Sequence, residues 1–117
     1  MKQLIALKKA FTYSIYGMAS LFKERAFQHE LILGILLLIT EILRSLYFVS
    51  TDKRLHIFTA YVIVLISETL NTAIEATVDR IGKETHPLSK TAKDIGSAAV
   101  FIALVHLGII WILSWFS

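Results

Sequence analysis

The last stretch of the chain, residues 95–117, contains no Lys, Arg, Asp or Glu. As a helix it is roughly 34 Å long, enough to cross the hydrocarbon core of a bilayer. A soluble domain has no use for so long an uncharged run. In lipid, backbone N–H and C=O groups find no water, and helices or closed barrels are the two architectures that satisfy them. A helical membrane protein follows.

Two further spans precede it. Residues 55–78 have the length, but Glu68 and Glu75 sit inside them. Residues 31–48 begin with ten uncharged positions and carry Glu41 and Arg44 late, where both can snorkel or pair near the far interface. Ahead of these, Leu4, Leu7, Phe11, Ile15, Met18 and Phe22 recur at helical spacing, with Lys2, Lys9, Tyr16 and Lys23 on other faces. That pattern predicts an amphipathic helix lying on the membrane, with residues 1–29 forming this helix and a linker. The basic start leads into alternation rather than a compact apolar core with a cleavage site, so the segment is not read as a secretory signal. Residues 1–117 thus read as one all-α integral-membrane domain: a surface helix followed by three transmembrane helices. Pro87 is expected to mark a turn in the loop before the last helix.

Composition agrees. The chain is 56% hydrophobic with a mean hydropathy of +0.66, and it lacks cysteine, which excludes disulfide scaffolds, thiolate metal sites and cysteine nucleophiles. Three spans place nine Lys and Arg residues (2, 8, 9, 23, 25, 80, 83, 90, 93) on one side and three (44, 53, 54) on the other. The positive-inside rule makes the first side cytoplasmic, so the N-terminus is expected in the cytosol and the C-terminus outside. A net charge of +3 suits anionic lipid rather than nucleic acid. Trp111, Trp115 and Phe116 read as an aromatic belt at the outer end.

The acids inside the second span carry the chemistry. Glu68, Asn71, Glu75 and Asp79 follow the spacing i, i+3, i+7, i+11 and therefore share one stripe of a helix. A charged group in hydrocarbon costs a few kcal/mol, so such a stripe marks a bundle interior or a functional site. With Asp79 at the cytoplasmic surface, Glu75 lies about 6 Å deeper and Glu68 about 16 Å deeper. Residues 24–30, leading into the first span, and Lys93 with Asp94, leading into the third, add charges on the same side. Carboxylates on several helix ends can hold a hard divalent cation, and magnesium uses one or two of them together with substrate phosphates. A base set deeper than a metal and phosphate site suits phosphoryl transfer to a lipid hydroxyl. Two other readings stand beside this one: a structural bundle whose acids hydrogen-bond to Asn71, Thr72 or Ser97, and a proton or cation relay. Phosphate-binding glycine loops and H-E-x-x-H are absent from the sequence, and His29, His56, His86 and His106 show no metal-ligand spacing.

Residues 67–82, SETLNTAIEATVDRIG, resemble the signature E-x-x-N-[ST]-A-I-E-A-x-x-D of the prokaryotic diacylglycerol kinase family. Residues 24–30 match its E-x-A-F-x-x-E segment, and residues 92–100 match A-K-D-x-G-S-A-A-V. The resemblance runs from about Tyr13 to the end of the chain. It implies a homotrimer with shared active sites in the bacterial inner membrane, transferring the γ-phosphate of ATP to diacylglycerol, with Mg2+ as cofactor and phosphatidic acid as product. It implies Glu68 as the proton acceptor with Asn71 beside it, and Glu24 and Glu75 as metal ligands. The ATP site would comprise Tyr13, Glu24, Glu75, Asp79, Glu84, His86, Lys93 and Asp94, and the lipid site Glu30, Glu68 and Ser97. Gln28 stands where many relatives carry arginine, and Lys8 and Lys9 are the nearest cations to a nucleotide-binding arginine in the N-terminal helix. A sister branch phosphorylates undecaprenol and shares the central motif, whereas Glu30, the ending at residues 79–82 and the run at 96–99 look more like the diacylglycerol branch.

Overall fold

A computed structural model describes residues 1–47 and 50–116. Four α-helices occur in chain order: α1 (Lys2–Leu21), α2 (Arg25–Ser45), α3 (Thr51–Ile81) and α4 (Pro87–Phe116). Three of them, α2, α3 and α4, are long and apolar enough to cross a membrane. The expected spans ending at residues 48 and 117 terminate outside the described residues.

The helices extend beyond the apolar runs because backbone hydrogen bonding continues after hydrophobicity stops. α3 begins four residues ahead of the run at 55–78 and finishes three beyond it; Asp52 lies in its first turn and Arg80 in its last, each suited to the helix dipole. α4 starts eight residues ahead of the uncharged run. Pro87 is its first residue rather than part of a preceding turn, since a ring with no N–H loses nothing where the N–H has no helical partner. His86 completes that start: its Nδ1 accepts the Leu88 N–H at 3.1 Å.

α3 and α4 form the principal packed pair. Their shared core is Ile57, Ala60, Val64, Ala103 and Leu107, and α2 adds Leu33 and Leu37 against it. Alanines at the contact let helix backbones approach closely, which replaces the hydrophobic drive that lipid cannot supply. α1 is exposed along its length except at Leu21. Outward-facing Ile35, Leu36, Ile39, Phe101, Ile102 and Ile109 leave broad apolar flanks on the protomer, a surface for acyl chains or neighbouring subunits rather than for water.

Two glycines set how closely helices approach. A Cβ at Gly34 would collide with the hydroxyl end of Tyr61, and one at Gly96 would collide with Asn71 Oδ1. Each marks a place where a polar side chain of α3 lies directly against a neighbouring helix.

Candidate functional site

The charged end of the bundle gathers the N-terminus of α2, the C-terminal half of α3 and the start of α4. Along α3 the polar stripe changes character with depth. Asp79 and Glu75 are exposed, whereas Asn71 and Glu68 are buried, Glu68 with 5% of its surface accessible. An acidic face thus passes from open surface into the packed interior of one helix pair.

Each buried member has a local setting. Thr72 Oγ1 donates to Glu68 Oε1 at 3.5 Å, one turn away on the same helix. Asn71 Nδ2 donates to Glu75 Oε1 at 3.3 Å, which joins the buried and exposed halves of the stripe. Its Oδ1 is buried, lacks a hydrogen-bond partner and lies over Gly96. A valine at position 96 would drive Asn71 off Glu75, and overpacking of this kind costs about 1–3 kcal/mol. Gly96→Val is therefore expected to lower activity more than Gly17→Val, whose site has open space, with thermal unfolding of both variants as the check.

Glu30 of α2 faces the same region. It is buried, its Oε2 has no hydrogen-bond partner, and its charge acts directly on Glu68. Glu68 also feels the charges of Glu75 and Glu24. Glu68 thus has Glu30 of α2 and Glu75 of its own helix as acidic neighbours, with Glu24 a weaker one.

Glu24 occupies the N-cap position of α2 in extended conformation, and its side chain makes no capping bond, so its oxygens are available. Among the described residues no three His, Cys, Asp or Glu side chains cluster as a metal site. Magnesium usually takes only one or two carboxylates from the protein and the rest of its ligands from phosphate oxygens and water, so a cluster of three is not required.

The cations are placed as clasps. Lys93 Nζ reaches Asp79 Oδ1 at 2.6 Å and ties α4 to α3. Lys90 pairs with Asp94 within α4. Both pairs are exposed, so each contributes little to stability and can exchange its carboxylate for phosphate. Other expected nucleotide residues are dispersed: Tyr13 is exposed on α1, Glu84 is exposed in the loop before α4, and His86 caps α4. Ser97 is exposed, and it is Gly96 that α4 presents to Asn71.

Tyr61 escaped the sequence reading. Its hydroxyl donates to the Glu30 backbone carbonyl at 2.9 Å, so it closes the inner floor beneath the acids. Its spacing of seven residues before Glu68 puts it on the same face of α3, and that periodicity is the signal that could have found it.

The fold and this face define an integral-membrane helix bundle with an acidic site where buried and open surface meet. The profile of prokaryotic diacylglycerol kinase matches residues 12–115, and the chain belongs to that family. Similar proteins include diacylglycerol kinases of Escherichia coli (strain K12), 43% identical over 92% of this chain and 87% of the relative, and of Haemophilus influenzae, 44% identical over 85% and 82%. A diacylglycerol kinase of Pseudomonas aeruginosa is 43% identical over 85% of this chain and 79% of its own length.

Proposed function

We propose that the chain phosphorylates diacylglycerol with ATP, yielding phosphatidic acid and ADP at the cytoplasmic face of the bacterial inner membrane. One observation carries this reading beyond family membership: the stripe on α3 sets a buried carboxylate, Glu68, behind an exposed one, Glu75, and links the two through Asn71. A lipid hydroxyl approaches such a site from the membrane side and a nucleotide from the water side.

In this reading Glu68 accepts the proton as the lipid oxygen bonds to the γ-phosphorus and the bond to ADP breaks. Asn71 holds Glu75 in place, and its free Oδ1 adds a polar contact in the interior. Glu24 and Glu75 would hold Mg2+, which when bound neutralises phosphate charge in the transition state. Lys93 and Asp79, with Lys90 and Asp94, form the rim that a nucleotide meets, together with Tyr13, Glu84 and His86. Glu30 and Ser97 belong to the lipid side. On one protomer Tyr13 and Ser97 are exposed and wide apolar flanks are uncovered, which supports a homotrimer with sites shared between neighbours.

Phosphate transfer from labelled ATP, with diacylglycerol and undecaprenol in competition, is the direct test. The proposal expects phosphatidic acid as the main product, and preference for the polyprenol would overturn the substrate assignment. Glu75→Gln removes a ligand charge while keeping its shape. We expect it to raise the magnesium concentration needed for half-maximal rate by at least about tenfold, as loss of a charged contact does. An unchanged metal titration would remove Glu75 from the metal site.

A further inference from the structure

At the end of the bundle away from the acids, α2 and α3 diverge around a groove of about 440 Å3. Its walls are apolar, with Leu37, Leu38, Ile42, Ile57 and Phe58 among them. Of these, Leu38, Ile42 and Phe58 are exposed, so the groove opens sideways toward lipid. Its inner end is stopped by Tyr61, which lies against Gly34 and is tied to the Glu30 carbonyl. From Gly34 to Ser45 the wall of α2 spans about 16 Å, close to half of a hydrocarbon core of about 30 Å. That is the depth of one leaflet.

The mouth is polar and incompletely satisfied. Arg54 Nε is buried there without a hydrogen-bond partner. Glu41 also lines the mouth; one of its oxygens is held by Arg44, and the other, Oε2, is buried and bare. Ser45 Oγ donates to its own helix at Ile42 and makes no demand. The three charged groups, Glu41, Arg44 and Arg54, sum to one positive charge. What completes the mouth must accept a hydrogen bond and carry negative charge at Arg54, and donate a hydrogen bond at Glu41.

We propose that this groove binds one acyl chain of a glycerophospholipid from the leaflet opposite the acidic site, with its phosphodiester on Arg54 and a headgroup N–H or O–H donor on Glu41 Oε2. Ethanolamine and glycerol headgroups carry such a donor. Choline carries none, because its nitrogen is fully methylated. Tyr61 seals the groove from the acids, so this lipid is distinct from the one phosphorylated and does not depend on the kinase reading.

The full chain, reconstituted in nanodiscs of phosphatidylcholine mixed equally with phosphatidylethanolamine, its mono- or dimethylated forms, or deuterium-labelled phosphatidylcholine as the trimethylated form, tests this through native mass spectrometry of retained lipid. Retention should stay high through the dimethyl lipid and fall about tenfold at the trimethyl lipid, the scale of one lost charge-assisted hydrogen bond. Phosphatidylglycerol, tested in the same way, should be retained like phosphatidylethanolamine. Arg54→Gln, which removes the partner of the phosphodiester common to all these lipids, should lower retention of every one of them. Glu41→Gln should abolish the preference for a headgroup donor, and Leu38→Trp, which fills an exposed wall, should abolish retention while leaving the helix content unchanged. Equal retention of all headgroups, retention unchanged by Arg54→Gln, or a preference that survives Glu41→Gln, overturns the proposal. So does complete disulfide cross-linking of Ser45→Cys, the sole cysteine such a chain would have, with no lipid retained, because a second copy would then fill the groove.

Discussion

Glu68→Gln is expected to lower kcat for lipid phosphorylation by about 10²–10⁴-fold, the range a positioned general base contributes. Glutamine keeps the size of the side chain and can still accept the Thr72 hydroxyl, so helix packing should be preserved. Only the capacity to take a proton is removed. The KM for ATP should therefore move little, because the nucleotide is met by exposed residues nearer the surface. Glu68→Asp separates two explanations: the shorter chain retains the base but withdraws it, and should give an intermediate rate. Steady-state kinetics in mixed micelles, with circular dichroism as the control for folding, reads all of these. If both variants turn over at the wild-type rate, Glu68 is a packing residue and the proton leaves by another route.

The features legible in the sequence are those with a local period. An uncharged run at 95–117 and the i, i+3, i+7, i+11 stripe needed only helical geometry to become a span and a face, and the family motif supplied the chemistry to attach to that face. Features that depend on a second helix were not legible. Nothing in the spacing of Lys93 says that it reaches Asp79 fourteen residues earlier instead of the carboxylate beside it. Gly96 reads as one more small residue until Asn71 lies over it. The extension of α4 back to Pro87 was hidden by a polar stretch that looks like a loop to a hydropathy argument, although a proline at the first helical position with a capping histidine before it is a start signal. Tyr61 was passed over because an aromatic residue in a span resembles every other apolar residue there. Its hydroxyl matters only once Gly34 leaves room for it to reach the Glu30 carbonyl.

The largest effect on stability is expected far from the chemistry, at Arg44. This guanidinium is 5% exposed, bonds Glu41 Oε1 at 2.5 Å through Nη1 and donates through Nη2 to the Ser114 carbonyl at 2.9 Å. It also sits 4.4 Å from the centre of the Trp115 ring, which packs edge-on against Trp111. A single side chain of α2 therefore holds the outer end of α4, where the last carbonyls of a helix lack partners. Arg44→Met keeps the apolar stem, removes every one of these bonds and leaves Glu41 as an unpaired buried charge. Breaking a buried pair from one side costs about 3–5 kcal/mol. The double variant Glu41→Leu with Arg44→Met removes both charges, and apolar replacement of a buried pair is close to neutral, so it should recover most of the loss. Reversible unfolding in mixed micelles, followed by the fluorescence of Trp111 and Trp115, measures both. Recovery in the double variant would assign the effect to the stranded Glu41 charge. A double variant as unstable as the single one would instead locate it in the lost tie to Ser114 and the cover over Trp115.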